Sequence, residues 1–471
     1  MSKPLTGLSS RVAEAAARID LSTLPEDTAW DAKAHLLDCL GMMFAGMTAE
    51  RVRKLRRLDP EAGLTPTTSD LAFGLSLLCG ARGLDDFDES TRAHPGAVIV
   101  PALLAGQDRQ SARKSDHPVS GAEFLAGLIA GYQLMGGLGE AMGAPHLHSR
   151  GYHPSSILGP PSAALAVGRM LALSEATLAH SVGIGASLAC GTTQFDAQEE
   201  VRGLQTAWAA SSGLAAVRFA SLGYQASDAA LEAVNGLIGR TAPDFDASLG
   251  DLMSYLPLRI QSVSYKPYPH FSDLHPATSA LFDILNGQRI DLRDVERVTV
   301  RVSERVTERL HAAYPPVNSR EAKRSPGFVM AVVLRAAAQG GSAGSLLDAF
   351  AESSLADEEI LELGRRVTLC SDIPVSTSGP QAVVDLQLRD GTLLSREATG
   401  YPGDGRRSNL RWGWAEVLLR FQEMVQPVLG TSRIGWITEF VAGMDESPDV
   451  SDELDQIIGL LLPSRLAQRH G

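Results

Sequence analysis

The sequence predicts a mainly α protein with a second α+β domain. From Ser9 to about residue 240, apolar residues recur at helical spacing almost throughout. Between about residues 267 and 400 several short runs alternate with a period of two, and from Trp412 the helical spacing returns. A chain of 471 residues, 44% hydrophobic, has ample material for a large core. At about 100–200 residues per domain, two or three domains are expected.

Asp27 and Thr28 are placed to cap a helix through Ala34, Leu37, Leu40 and Met43. A second helix is expected over Leu71–Ala81. Pro95 suits the first turn of a third, which continues through Val98, Val100 and Leu103. Further helices read as Ala122–Leu138, Pro161–Leu173, Glu175–Ala189, Gly203–Leu222 and Ala229–Leu237. Their many glycines, as in Leu125-Ala126-Gly127-Leu128-Ile129-Ala130-Gly131, point to close helix packing, because glycine weakens a helix by about 1 kcal/mol relative to alanine.

In the second region Val298, Val300 and Val302 alternate with Thr299, Arg301 and Ser303, a strand pattern. Ser325–Ala338 reads as a helix with Pro326 at its start, and Arg366–Leu369 as a short strand. Val384, Leu386 and Leu388 alternate with Asp385, Gln387 and Arg389 and run into Asp390-Gly391, a hairpin signal. The final helices are expected over Val417–Val428 and Leu454–Leu462.

A net charge of −13 and a pI near 5.4 argue against a general nucleic-acid or anionic-membrane surface, while leaving room for a local positive pocket. Cys39, Cys79, Cys190 and Cys370 are widely separated and form no C-x-x-C, so neither a disulfide framework nor a structural zinc site is indicated. Reduced, buried cysteines in a cytoplasmic protein are the expectation. The N-terminus lacks an apolar signal core. The uncharged run Leu178–Phe195 carries too many polar residues and glycines for a spanning helix. No nucleophile elbow, Walker loop or H-E-x-x-H is present, and Gly137-Leu138-Gly139 has neither the strand nor the third glycine of a dinucleotide fingerprint. His146, His148 and His153 lack a Cys or acidic partner at ligand spacing, and no metal is expected.

Three segments set ionisable groups in Gly/Pro-punctuated loops between apolar stretches. They are Asp85-Asp86-Phe87-Asp88-Glu89-Ser90 with His94-Pro95-Gly96, then Gly151-Tyr152-His153-Pro154-Ser155-Ser156, and Tyr265-Lys266-Pro267-Tyr268-Pro269-His270 with His275. Together they supply carboxylates, imidazoles and an amine, the groups needed for proton transfer on an anionic substrate. A solvated, capping acidic loop is the plain alternative for the first. The His-Pro-Gly after it favours function, since a helix N-terminus offers free N–H groups to an anion.

Asp86-Phe87-Asp88-Glu89-Ser90, followed by His94-Pro95-Gly96-Ala97 and Pro101-Ala102-Leu103-Leu104-Ala105, resembles the MmgE/PrpD family of 2-methylcitrate dehydratase, cis-aconitate decarboxylase and iminodisuccinate epimerase. Asp38-Cys39-Leu40-Gly41 with Ala45-Gly46, Gly151-Tyr152-His153-Pro154-Ser155 with Leu158-Gly159, and Tyr265-Lys266-Pro267-Tyr268-Pro269 with His275 match in the family's order. The resemblance covers most of the chain and is weakest after about residue 340.

It implies a helical domain built from both chain ends (1–266 and 402–471), a smaller α/β domain inserted at 267–401, a homodimer, and a site in the cleft between domains. It implies no metal or organic cofactor, and a small anionic carboxylate as substrate. The expected activity is that of a lyase, a dehydratase foremost. Epimerisation, decarboxylation and non-catalytic carboxylate binding are the alternatives. Removing a proton α to a carboxylate needs a positioned base and donors for the developing charge. In that scheme Lys266 binds carboxylate and stabilises charge, His94 and His153 bind carboxylate or move protons, Asp86 is an acid or base, and Ser90 hydrogen-bonds substrate. His275 shapes the surroundings of the site.

The sequence also departs from its relatives. Arg202 stands where many carry a lysine; it can bind a carboxylate bidentately but cannot exchange a proton near neutral pH. Gly137 stands where arginine is frequent. His148 replaces a common tyrosine and could serve as a base in its place, an exposed loop histidine being the alternative. Tyr401-Pro402-Gly403-Asp404-Gly405 fits the family only loosely.

Overall fold

The computed structural model describes residues 7–49, 52, 68–107, 118–194, 199–243, 252–253, 258–286, 288, 290–310, 313–375 and 381–462. The chain forms two compact units: Met1–Ser264 with Gly413–Gly471, and Tyr265–Trp412.

The larger unit is helical. Its main elements are α1 (Leu8–Ala17), α2 (Glu26–Gly46), α3 (Thr68–Cys79), α4 (Pro95–Gly106), α5 (Gly121–Ala141), α6 (Ala144–Ser149), α7 (Pro154–Met170), α8 (Glu175–Leu188) and α9 (Glu199–Ser221). Helix α5 begins with a capping box between Ser120 and Glu123 and buries most of its surface. Helices α4, α5, α8 and α9 pack on α7. The small residues foreseen in the sequence make this possible: a Cβ at Gly213 or Gly185 would lie 2.8 Å from the Pro160 carbonyl oxygen.

Four local expectations are corrected. Helix α2 begins after Pro25 with no side-chain cap, and Asp27 lies inside its first turn, where it complements the helix dipole. Helix α7 starts at Pro154 rather than Pro161, so Pro160 and Pro161 are both internal. The helix expected at Ala229–Leu237 is instead a series of turns. The chain doubles back at Gly236, and the Leu237 and Ile238 N–H groups donate to the Ala230 and Leu231 carbonyls. Cys190 is exposed, whereas Cys39 and Cys79 are buried and Cys370 is intermediate.

The smaller unit holds a four-stranded sheet of β1 (Val295–Arg301), β2 (Val367–Cys370), β3 (Ala382–Leu388) and β4 (Leu393–Ala398), in the order β2-β1-β3-β4. β1 pairs parallel with β2 and antiparallel with β3, and β3–β4 is the hairpin announced by Asp390-Gly391, with Gly391 at φ +89°. Val298, Val300, Val384 and Leu386 face a core shared with α10 (His275–Leu285) and α11 (Pro326–Ala338). α12 (Glu358–Arg365) completes that unit. The chain then returns to the larger unit as α13 (Trp414–Val425), α14 (Thr431–Ala442) and α15 (Ser451–Leu461), of which α14 has no counterpart among the sequence expectations.

Among the described residues no helix is long and apolar enough to cross a membrane, and no group of three or more His, Cys, Asp or Glu is placed to hold a metal ion.

Candidate active site

In the larger unit, the turn between α3 and α4 carries Asp85, Asp86 and His94 into the interior, all nearly or fully buried. An isolated bridge pairs Phe87 with Ser264, and a second pairs Asp88 with Ala93, closing the loop on itself. His94 sits at the N-cap of α4 and His153 at the N-cap of α7; each is followed by a proline in the first turn. Sequence reasoning chose these two histidines from separate segments. The Ser155 hydroxyl, which accepts from the His94 N–H at 3.0 Å, joins the two caps.

The partners of His94 fix its tautomer. Nδ1 lies 2.8 Å from the Asp86 carbonyl oxygen and 2.9 Å from Asp85 Oδ2, both acceptors, so Nδ1 carries the proton. Nε2 lies 3.2 Å from an Arg202 guanidinium nitrogen, which can only donate, so Nε2 is the acceptor. The Asp86 carbonyl, Nδ1–H, Nε2 and Arg202 thus form one hydrogen-bonded line, with the Asp85 carboxylate in ion-pair contact beside Nδ1. A carboxylate held against one ring nitrogen orients the imidazole and stabilises the cation formed when the other takes a proton.

Asp86 is held from other sides. Its Oδ1 accepts the Gly96 N–H at 2.9 Å, and its Oδ2 accepts the Tyr132 hydroxyl at 2.6 Å. His35 Nδ1 is 3.5 Å from the same Oδ2. A Cβ at Gly96 would fall 2.5 Å from Cys39 Sγ, 2.8 Å from the Tyr132 hydroxyl and 3.0 Å from Asp86 Oδ1. The glycine of His-Pro-Gly is therefore a requirement of close approach.

His153 Nδ1 is 2.7 Å from the Ser156 hydroxyl, which donates to Gln205 Oε1 at 3.4 Å. Burial holds the His153 imidazole well below its ordinary pKa, reinforced by Arg202 and His94, so the ring is neutral near pH 7. His148 is exposed on α6, near enough for its charge to act on His153 in the same direction. Ser90 is exposed, and its hydroxyl donates to Asp88 Oδ1 at 2.6 Å within a local turn. At Gly137 a Cβ would lie 2.2 Å from the Leu252 carbonyl oxygen, so backbone occupies the place an arginine side chain would need.

In the smaller unit Lys266 is buried. His275 and His270 are fully enclosed and 4.9 Å apart ring to ring, and His275 meets Tyr401 edge-on at 4.8 Å. His270 Nε2 pairs with the Thr278 hydroxyl at 3.0 Å. Burial pushes the His270 pKa down to about 3 and that of His275 well below the ordinary value, with Lys266 adding to both shifts. Tyr265 donates its N–H to the Gly403 carbonyl at 2.9 Å, which ties the Lys-Pro-Tyr-Pro segment to the 401–405 segment.

The structure thus brings Asp86, His94, His153 and Arg202 together, and adds Asp85, Tyr132, His35 and Gln205. His35 and Asp38 could have been found as polar residues three apart in the otherwise apolar run of α2, and Tyr132 as the hydroxyl in a Gly-rich buried helix.

Comparison with known proteins covers most of the chain. The MmgE/PrpD N-terminal domain matches residues 10–249 and the MmgE/PrpD C-terminal domain residues 268–444. A cis-aconitate decarboxylase of Aspergillus terreus is 23% identical over 491 aligned residues, covering 96% of each chain. One from Mus musculus is 24% identical over 413 residues, covering 80% of this chain and 78% of that one. A cis-aconitate decarboxylase-like protein of Aspergillus oryzae is 30% identical over 214 residues; that match covers 43% of this chain and 44% of the relative's length.

Proposed function

The chain belongs to the MmgE/PrpD family, and from that premise we propose that it is a cofactor-independent lyase acting on a small di- or tricarboxylic acid of the aconitate kind. The observation that carries this reading is the line Asp85–His94–Arg202, a proton-transfer histidine joined directly to a carboxylate-binding arginine. Decarboxylation of cis-aconitate is the leading activity, because the relatives bear that name.

A substrate carboxylate takes the Arg202 fork by two charge-assisted hydrogen bonds. Drawn onto the substrate, Arg202 leaves His94 Nε2 facing the reacting carbon. In decarboxylation the carbon–carboxylate bond breaks, carbon dioxide leaves, and the electron pair stays on carbon, conjugated with the rest of the acid. Nε2, freed from Arg202, takes up a proton from solvent, and the resulting imidazolium supplies that proton to carbon while Asp85 faces the other side of the ring. His153, neutral, serves as a hydrogen-bonding group and not as a second cation.

Dehydration of a 2-methylcitrate-like acid is the second reading. It is favoured by the resting tautomer of His94, whose Nε2 is an acceptor and hence in the form of a base. Here Nε2 takes the proton α to a carboxylate, and hydroxide departs from the neighbouring carbon with its bonding pair and leaves as water after protonation. The two readings use the ring in opposite forms: decarboxylation the charged one, dehydration the neutral one.

Incubation with cis-aconitate, 2-methylcitrate and citrate, followed by mass spectrometry and carbon dioxide detection, tests the proposal. Absence of turnover across the three acids sinks it. Solvent deuterium in recovered substrate without loss of water or carbon dioxide favours an epimerase instead, and tight binding with neither favours a carboxylate-binding protein. The same assay on Lys266→Ala tests whether that lysine takes part.

A homodimer is part of the proposal. Val201, Leu204 and Trp208 form an exposed apolar stripe on α9, extended by Phe219 and Leu222 at its end. Mass measurement in solution should give twice the chain mass, and Leu204→Glu with Trp208→Glu should halve it.

A further inference from the structure

Behind the Asp85–Asp86 turn lies a buried ion pair that the proposed chemistry does not use. Arg420, on α13, is 9% exposed, and Asp38, on α2, is 1% exposed. Arg420 Nε lies 2.9 Å from Asp38 Oδ1. A second guanidinium nitrogen of Arg420 donates to the Leu84 carbonyl at 3.2 Å. Leu84 immediately precedes the two aspartates, so the guanidinium spans a fixed helix on one side and the site loop on the other.

The pair is not needed to dock α13 on α2. That seam is apolar and close: a Cβ at Gly41 would fall 2.6 Å from Met424 Cε and 3.1 Å from Phe421 Cδ2. Burying two charges in such a seam brings little or no net stability over apolar side chains of the same size. What the guanidinium offers that an apolar side chain does not is a charge set against Asp38 together with a planar donor directed at the Leu84 carbonyl. Its Leu84 contact is the one that reaches the chemistry.

We propose that Arg420 is a positioning residue of the site: anchored on Asp38, it holds the Leu84 carbonyl and thereby sets the place of Asp85 against His94. The line of action runs from Arg420 through Leu84 and Asp85 to His94 Nδ1, and so to the aim of Nε2. The inference deepens the lyase reading and rests on it for one of its two readouts.

The anchor is also sensitive to pH. Asp38 faces Arg420 from α13, His35 from its own helix, and Asp85 and Asp86 from the turn. Burial foremost, together with the two carboxylates, pushes Asp38 up to about 6 against the pull of Arg420 and His35. The charged anchor is therefore lost as pH falls through about 6, and the grip on the loop loosens with it.

Two variants of the full chain test this. Arg420→Lys keeps the charge and loses the fork; Asp38→Asn keeps the shape and loses the anchor. Each should lower kcat on cis-aconitate by about a hundredfold with KM little changed, the scale expected when a catalytic group is slightly misplaced. Each should also speed amide hydrogen exchange, corrected for intrinsic rates, in residues 84–94 and not across the rest of the larger unit. The wild type should show the same local loss of protection between pH 7.5 and pH 5, and Asp38→Asn should lack that step. Unchanged protection of residues 84–94 in both variants overturns the proposal, as does a loss spread evenly over the unit. If Arg420→Lys does not fold, Asp38→Asn alone decides. If the wild type turns over none of the acids yet loop protection falls as described, the lyase reading fails and the positioning role stands.

Discussion

Arg202 donates to His94 Nε2 across 3.2 Å, which sets the proposed carboxylate binder on the same atom that would move the proton. One residue therefore has two separable effects. Arg202→Met should weaken binding of the tricarboxylate by roughly 10–150-fold, the equivalent of about 1.5–3 kcal/mol for hydrogen bonds to a charged group. It should also raise the pKa of His153, because Arg202 is one of the charges that lower it. Desolvation, the larger cause, remains, so the value should stay below that of a solvated histidine. Calorimetric titration with the acid and nuclear magnetic resonance titration of the ring check the two effects independently. An unchanged His153 titration would contradict the geometry whatever the substrate proves to be.

Tyr132 reaches Asp86 from the middle of a buried helix, and its hydroxyl donates to that carboxylate alongside the Gly96 N–H. Tyr132→Phe removes only the oxygen. It should cost about 1.5–3 kcal/mol of stability in urea denaturation at pH 7.5, because the carboxylate stays buried with one fewer donor. An equally stable variant would mean that the Tyr132 hydroxyl contributes nothing to holding Asp86.

The helical unit was legible because its period is unbroken over long spans, and the hairpin because Asp390-Gly391 left it few alternatives. Local ends were not. Pro161 reads as a helix start, yet the helix is entered about two turns earlier at His153-Pro154. The turn at Gly236 depends on backbone carbonyls of Ala230 and Leu231 that no spacing rule announces. The site followed the same division. Groups in Gly/Pro-marked loops, such as Asp86, His94 and His153, stood out against the apolar helices. Tyr132, Asp38 and Arg420 show their polarity in the sequence, but a helix of mixed composition can turn any face inward, and only packing reveals which loop each one meets. Ser90, chosen for its motif position, uses its hydroxyl within its own turn.

Gly96 and Gly435 make a paired test of whether the close approach behind the His-Pro-Gly motif is real. At Gly96 a Cβ meets Cys39, Tyr132 and Asp86 at 3.0 Å or less, while at Gly435, within α14, nothing lies within 4 Å. Gly96→Ala should destabilise by about 1–3 kcal/mol through overpacking and abolish turnover. Gly435→Ala should stabilise by about 0.5–1 kcal/mol, the helix-propensity gain alone. Thermal unfolding of the two variants beside the wild type should therefore move in opposite directions; a shift of the same sign in both would undo the packing argument.

Three enclosed histidines make a prediction about acid. His153, His270 and His275 are buried neutral, with pKa values far below the ordinary one, about 3 for His270. Unfolding releases each to about 6.5, so between that value and the folded one the unfolded chain binds more protons, and stability falls as pH drops. At pH 5 each contributes a loss on the order of 2 kcal/mol. Asp38 works the other way: raised to about 6 from 3.8, it takes up a proton more readily in the folded chain and offsets part of the loss in the same window. One carboxyl with a smaller shift cannot balance three imidazoles. The urea midpoint should therefore drop clearly from pH 7.5 to pH 5, and replacing His270 and His275 by glutamine should flatten that slope even if it lowers stability at pH 7.5. A midpoint that holds or rises on acidification would mean these rings are already charged in the folded protein, which their enclosure and partners forbid.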